Sequence, residues 1–204
     1  LDADLKMEGT LLKGIRAEGG VNFRDLKMRS PEGEGEPISP EKAAVEFEAL
    51  QEGSSIRFDH LTVYWDEIEL TGALALENYN SPDLKVKAEL ASTSFRLGDI
   101  KEYLPHERIP ASAAKFLDAV TQAQVKLTGV QIEGFLEDLK NWGRKESNAV
   151  IRGSASLAEM DMLIGEAELP FEDLHLVVSL DGENLDFNIS EGRFRNTRIK
   201  SVEG

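Results

Sequence analysis

The stretch FDHLTVYWDEIELTGALAL, residues 58–76, decides the fold class because its apolar residues alternate with polar ones. A period of two is typical of a β-strand with one buried face. The alternation changes parity at Asp66-Glu67 and then resumes, which is typical of a hairpin turn between two strands. The residues that this hairpin is predicted to carry on one face are Leu61, Val63, Trp65, Ile68 and Leu70.

The same period recurs along most of the chain, in runs at residues 1–7, 84–90, 125–127, 174–180, 185–189 and 194–199. Stretches rich in Gly, Asn, Asp and Pro separate many of these runs and indicate turns. The pattern predicts about ten or more antiparallel strands, joined to their sequence neighbours as a meander. The residues of a second predicted apolar face are Leu174, Leu176, Val178, Leu180, Leu185 and Phe187.

Three segments depart from this period. Residues 30–42 concentrate Pro, Gly and Glu and predict a mobile loop. Residues 97–123 change to helical spacing, with Val120 on the apolar stripe, and predict a helical insertion with one or two short helices around residues 99–122. Residues 134–148 fit either a short helical turn or a loop.

A short signature also repeats along the chain. The tetrapeptides at residues 23–26, 58–61 and 171–174 each begin with Phe and end with Leu. After the last two, a turn and a second alternating strand follow, reaching Gly72 and Gly192. The signature indicates a repeated strand-turn-strand unit.

The composition excludes several classes of function. The chain has 38 acidic and 23 basic residues and a formal charge of -15, so its field repels nucleic acid. The absence of cysteine excludes disulfides and thiol catalysis. No apolar run reaches the roughly 18 residues of a membrane span, and no signal peptide opens the sequence. We interpret residues 1–204 as a single mainly-β segment excised from a larger protein.

The sequence also lacks the groups that an enzyme brings together. Asp59 and His60 are neighbours in a strand, so alternation places them on opposite faces, where they cannot share a metal ion. Asp173 and His175 share a face, but an exposed pair on a polar face is more common than a two-ligand site. No HExxH, GxSxG, phosphate-binding or calcium-binding motif occurs. We therefore expect no enzyme, no metal and no cofactor.

A meander of one-sided strands must cover its apolar face. Residues 97–123 supply too little helix to cover more than a few strands. The apolar face must then be covered in one of three ways: by a second sheet in a sandwich, by closure of the sheet into a barrel, or by another molecule that fills a curved groove. We favour a curved, twisted, groove-like antiparallel sheet, with a β-sandwich as the alternative.

Four features occur in a fixed order along the chain. A hairpin ends in a Gly-led strand at residues 72–76, and a strand with a Pro-x-Leu start follows at Pro82. A turn then ends at Tyr103-Leu104-Pro105. A helix follows, and after it a strand at residues 125–134 ends in Gly. This order resembles the AsmA-like family, which includes TamB-type and YhdP-type repeating β-groove proteins. The resemblance covers most of residues 45–200.

The resemblance implies an apolar β-groove in a periplasmic protein whose parent chain is anchored in the inner membrane. Such a protein moves phospholipid between the inner and outer membranes and has envelope proteins as possible partners. Each buried methylene contributes roughly 0.8 kcal/mol, so an apolar track can hold a lipid tail. The two predicted faces would line the groove. The alternative function is an envelope or extracellular, adhesin-like β-sandwich module without lipid binding, and a carbohydrate-active enzyme ranks third.

Overall fold

The computed structural model describes residues 1–10, 14–27, 39–101, 111–142, 147–165, 169–182 and 184–203. In these residues the chain forms twelve strands and three short helices. The strands are β1 (Asp2–Thr10), β2 (Gly14–Phe23), β3 (Ala43–Glu52), β4 (Ser55–Trp65), β5 (Ile68–Glu77), β6 (Lys85–Ser92), β7 (Phe95–Arg96), β8 (Val120–Phe135), β9 (Val150–Ile164), β10 (Leu169–Asp181), β11 (Asn184–Phe194) and β12 (Thr197–Glu203). The helices are α1 (Gly98–Lys101), α2 (Ala111–Ala119) and α3 (Leu136–Lys140).

All of the described strands belong to one open antiparallel sheet. Its order is β1-β2-β3-β4-β5-β6-β8-β9-β10-β11-β12, and the short strand β7 pairs with β8 beside this path. Each long strand therefore lies next to its neighbour in the sequence. The predicted mainly-β antiparallel meander is confirmed, whereas a β-sandwich requires two sheets packed face to face.

Contacts divide the chain into two compact units, and both are mainly β. Unit 1 comprises Leu1–Thr93 and Gly129–Arg152. Unit 2 comprises Ser94–Thr128 and Gly153–Gly204. Because period-two alternation continues through both units, the sequence alone predicts one segment.

In unit 1 the register of β4 and β5 confirms the predicted hairpin. Trp65 pairs with Ile68, so the turn consists of Asp66 and Glu67. Asp66 has a φ of 51°, a conformation that tight turns require and that Asp tolerates. Its backbone N–H donates to the carbonyl of Lys42 at 2.8 Å, and its side-chain Oδ1 accepts from the Lys42 N–H at 3.1 Å. These two bonds fix the turn against the start of β3.

The two helices in the predicted insertion are short. Helices α1 and α2 lie within residues 97–123, but α2 ends at Ala119. Residues 120–123 are extended and begin β8, so Val120 belongs to a strand and not to a helical stripe; it is 1% exposed. A helix also occurs within residues 134–148, namely α3. Among the described residues, no helix is long and apolar enough to cross a membrane.

The loop predicted at residues 30–42 lies mostly outside the described residues. The described part, residues 39–42, has no regular secondary structure and leads into β3. Residues 102–110, which include the turn at Tyr103-Leu104-Pro105, also lie outside them.

Candidate functional site

One face of the sheet in unit 1 is apolar across β1 to β6 and β8. Residues that pair across neighbouring antiparallel strands share a face, so the register defines this surface. We call it the apolar face of unit 1. Its members are Ala3, Leu5 and Met7 in β1; Ile15, Ala17, Val21 and Phe23 in β2; Ala43, Val45, Phe47 and Ala49 in β3; Ile56, Phe58, Leu61, Val63 and Trp65 in β4; Ile68, Leu70, Leu74 and Leu76 in β5; Val86, Ala88 and Leu90 in β6; and Val130 and Ile132 in β8.

This face is only partly covered. Of its residues in β2 to β6, Ala43, Ala49 and Ile68 are buried and the others are half-buried. Helix α3 covers the β8 end of this face. A Cβ added at Gly134 in β8 would lie 3.6 Å from Cγ of Leu139 in this helix. The predicted residues of the opening hairpin therefore lie on a broad apolar surface that keeps partial access to solvent.

The backbones of neighbouring strands approach each other closely at two glycines of this apolar face. A Cβ added at Gly72 would collide with the carbonyl oxygen of Glu89 and lie 3.0 Å from Cα of Leu90, in the neighbouring strand β6. A Cβ added at Gly19 would likewise collide with the carbonyl oxygen of Asp4 in β1. In a flat pair of strands a Cβ points away from the neighbouring backbone. Glycine is therefore required at both positions, because a larger residue would place its Cβ against the backbone of the neighbouring strand.

The opposite face of unit 1 is charged. Nζ of Lys85 lies 2.7 Å from Oε1 of Glu133 on the neighbouring strand. Their hydrogen bond lowers the pKa of the Glu133 carboxyl and raises the pKa of the Lys85 amine. Desolvation raises the pKa of Tyr64, and the carboxylates of Glu46 and Glu69 raise it further. The charged side chains of Glu46, Glu69, Lys85 and Glu133 thus lie on the side of the sheet away from the apolar face.

Unit 2 contains the second predicted apolar set. Leu174 and Leu176 are buried, and Val178 and Leu180 are half-buried, as alternation along β10 predicts. The register places Val178 opposite Phe187, which is 43% exposed. Leu185 pairs with Leu180 through its backbone, and its side chain lies outside the description. The other buried apolar residues of unit 2 are Phe95, Leu97, Val120, Ala123, Val125, Leu157, Met160 and Met162.

The Phe-x-x-Leu signature coincides with an irregular register in both described hairpins. In β4 the extra residue lies at Asp59, between Phe58 and Leu61. In β10 the register shifts after Glu172, and Asp173 has a φ of 53°. The Leu of each signature faces a glycine: Leu61 pairs with Gly72, and the side chain of Leu174 lies against Gly192. This shared geometry supports the predicted strand-turn-strand repeat.

The bulge in β4 corrects the expectation for Asp59 and His60. Both side chains are exposed, His60 pairs with Glu48 on the charged face, and Asp59 forms a 2.7 Å ion pair with Arg57. Opposite faces were expected because strict alternation had been assumed. An odd spacing between Phe58 and Leu61 in an otherwise period-two strand is the sequence signal that reveals the bulge.

The other predicted pair is brought together. Nε2 of His175 lies 3.7 Å from Oδ1 of Asp173, and both side chains are exposed. Among the described residues, no three His, Cys, Asp or Glu side chains are grouped so that they could hold a metal ion.

The sequence-based predictions did not include one short basic segment, because the net charge of the whole chain is strongly negative. The run RFRNTRIK at residues 193–200 has Arg193, Arg195, Arg198 and Lys200 and no acidic residue. In the structure it forms the hairpin end between β11 and β12. The signal that reveals it is the local density of basic residues.

Comparisons of the chain with protein-family models, with curated proteins and with solved structures gave no match. What the chain binds is therefore inferred from its own residues.

Proposed function

We propose that the chain binds lipid acyl chains on its apolar sheet faces and forms part of a periplasmic protein that moves phospholipid between the inner and outer membranes. The observation that carries this proposal is the apolar face of unit 1. It extends over β1 to β6 and β8, and its side chains are mostly half-buried. A contiguous exposed apolar surface of this kind is typical of a binding site.

The chemistry of the apolar face suits a lipid tail. Its side chains are aliphatic and aromatic, and an acyl chain makes no hydrogen bonds that they would have to satisfy. If about 15 methylenes were fully buried, the gain would be about 12 kcal/mol. The opposite face of the sheet is charged and stays hydrated while the apolar face binds the tail. Binding of this kind needs no catalytic group, in agreement with the separate positions of His60 and His175 in units 1 and 2.

The resemblance to the AsmA-like family supplies the cellular setting of the proposal. It suggests a periplasmic segment whose parent protein is anchored in the inner membrane and meets other envelope proteins. In this setting the lipid moves along a track of similar apolar side chains, so no single residue should dominate the transfer.

The proposal is tested by purifying the chain without detergent, extracting it with organic solvent and identifying lipids by mass spectrometry. One variant pair places a charge in unit 2. Val178→Asp lies in the second predicted apolar set, and Val177→Asp lies on the exposed side of the same strand. A second pair does so in unit 1, with Val63→Asp and Thr62→Asp. Leu176 is unsuitable for this test because it is buried, and a charge there would prevent folding.

The wild type and the two control variants are expected to carry lipid, and Val178→Asp and Val63→Asp are expected to carry much less. Circular dichroism shows whether each variant folds. If the wild type carries no lipid and takes none from vesicles, the lipid-binding proposal is wrong. A lipid-free chain that self-associates through the apolar face would instead favour a structural envelope module.

A further inference from the structure

The outer edge of strand β1 is open. β1 comes first in the strand order, so one side of it pairs with β2, and among the described residues no strand pairs with its other side. The N–H and C=O groups on that side are a template for another strand. Proteins often protect such an edge with a short strand, a proline or a bulge. β1 has none of these three, because it runs for nine residues, contains no proline and pairs with β2 without a shift in register.

The apolar side chains of β1 are also more exposed than those of the strands beside it. Leu5 is 52% exposed and Met7 is 64% exposed, whereas Ala17 in β2 and Phe47 in β3 are half-buried on the same face. The difference arises because the apolar face of unit 1 ends at β1. A strand added at this edge would cover one side of Leu5 and Met7 and would continue the apolar face.

We propose that β1 pairs antiparallel with β1 of a second copy of this chain, about a two-fold axis at Leu5. Under two-fold symmetry, if one residue contacts a second across the axis, the second contacts the first in the same way. Only registers that are centred on a residue place apolar side chains opposite apolar ones, because a shift by one residue exchanges the two faces of a strand. The apolar faces of the two copies would then lie on the same side of one continuous sheet.

The charges of β1 favour Leu5 as the centre of the pairing. In this register Asp4 lies opposite Lys6 of the second copy, and symmetry forms this attractive pair twice. A centre at Asp4 or at Lys6 would place that residue opposite itself, so like charges would meet. A centre at Ala3 would place Asp2 opposite Asp4, which is also repulsive.

The sizes of the apolar side chains favour the same register. With Leu5 on the axis, Met7 lies opposite Ala3 of the second copy, so a long side chain meets a short one. All of residues 1–9 then pair between the copies. A centre at Met7 would pair only residues 4–10 and would place two long methionine side chains opposite each other.

One pair of like charges remains in the proposed register, because Asp2 lies opposite Glu8 of the second copy. Each carboxylate already has a counter-ion in its own chain: Arg24 lies beside Asp2, and Nζ of Lys6 lies 3.2 Å from Oε1 of Glu8. These cations reduce the repulsion. All four side chains are exposed, so water and salt screen what remains.

The strand at the other end of the sheet is less suited to this contact. β12 has seven residues, and Ser201 within it has a φ of 51°, which a regular extended strand does not have. The partner that matches β1 in length and in the alternation of its side chains is β1 of a second copy.

The pairing can be tested with single cysteines in the whole chain, which has no cysteine of its own. Directly opposite residues of an antiparallel pair have Cα atoms about 4.5–5.5 Å apart, a distance that a disulfide spans. We therefore expect Leu5→Cys to form disulfide-linked dimers under mild oxidation. Met7→Cys and Ala3→Cys should each form few when alone, because the two copies of each lie about 13 Å apart. A mixture of these two variants should cross-link.

The strength of the association is measured by sedimentation equilibrium over a series of protein concentrations. Lys6→Asp replaces two attractive pairs by two repulsive ones and should weaken the dimer about tenfold. The double variant Asp4→Lys/Lys6→Asp exchanges the two charges, so it should restore the dimer. The control Lys126→Asp makes the same change in net charge as Lys6→Asp at an exposed position in β8 and should leave the dimer unchanged. Circular dichroism shows whether each variant is folded.

A folded chain that stays monomeric and gives no linked dimer of Leu5→Cys would overturn the inference. Efficient linking of Met7→Cys alone would show a different register. Oligomers that grow beyond the dimer would also contradict it, because a head-to-tail contact between β1 and β12 does not close. Equal weakening by Lys126→Asp would make the effect one of net charge and remove the support for the pairing of Asp4 with Lys6.

Discussion

Phe58 and Leu61 lie on the same face of β4, although they are three positions apart in the sequence. Phe58 pairs with Leu74 and Leu61 pairs with Gly72, and these partners are two positions apart on β5. A bulge at Asp59 absorbs the extra residue against both neighbouring strands. The ring of Phe58 meets that of Phe47 edge-on at 5.7 Å between centroids. The bulge therefore keeps both apolar residues of the signature on the apolar face.

Deletion of Asp59 should leave the protein folded. Without this residue, Phe58 and Leu61 become two positions apart and share a face by simple alternation. The lost ion pair with Arg57 is exposed and contributes little. We expect the free energy of unfolding to fall by less than about 2 kcal/mol, measured by urea denaturation.

Deletion of Thr62 is the matched control for that experiment. It lies in the same strand but outside the bulge, so its removal turns either Leu61 or Val63 to the charged face. We expect this variant to be unfolded or insoluble. Equal stability of the two deletion variants would show that β4 has no bulge at Asp59.

The hairpin at residues 65–68 could be read from the sequence because its alternation changes parity at a turn. The bulge at Asp59 could not be predicted by the same rule. Simple alternation places residues on one face only when they are an even number of positions apart, and Phe58 and Leu61 are three apart. The end of helix α2 was misjudged for a similar reason: the buried side chain of Val120 fits a helical stripe as well as the start of a strand. The close approach of the β6 backbone at Gly72 depends on how the two strands pair, which no local pattern specifies.

Substitution of Gly72 by Ala should destabilise the chain. The added methyl group would collide with the backbone of Glu89, which cannot move aside like a flexible side chain. We expect a loss of about 1–3 kcal/mol in the free energy of unfolding. The control is Gly98→Ala, where a Cβ meets nothing within 4 Å. If both variants unfold at the same urea concentration, the backbone of β6 does not approach Gly72 closely.

Removal of the histidine side chains should leave lipid binding unchanged. His60 is exposed on the charged face of unit 1, and His175 is an exposed partner of Asp173. We expect His60→Ala and His175→Ala to carry the same lipids as the wild type in the mass-spectrometric assay. A large loss of bound lipid in either variant would indicate a histidine-dependent site that the apolar faces do not explain.

Truncation of Leu174 should test the core of unit 2. Its side chain is 2% exposed and packs against Gly192, so Leu174→Ala leaves a cavity. We expect a loss of about 2–5 kcal/mol in the free energy of unfolding. The same substitution at Leu163, which is 38% exposed, should cost much less. Similar losses at both positions would mean that Leu174 is not enclosed.

The ion pair between Lys85 and Glu133 should make stability depend on pH at both ends of the scale. The pKa of Glu133 is lowered in the folded chain, so its contribution is present above the ordinary carboxyl pKa and is lost as the pH falls through the lowered value. The pKa of Lys85 is raised, so its contribution is present below the ordinary amine pKa and is lost as the pH rises through the raised value. Between these limits the pair stabilises the fold.

The pH dependence is measured with Glu133→Gln, Lys85→Met and the double variant in urea denaturation. The coupling between the two substitutions should be small, because both side chains are partly exposed and water screens their interaction. It should appear at neutral pH and vanish in acid, where Glu133 is protonated. A coupling of the same size at both pH values would contradict the ion pair, because a packing contact between the two side chains would not depend on the charge of Glu133.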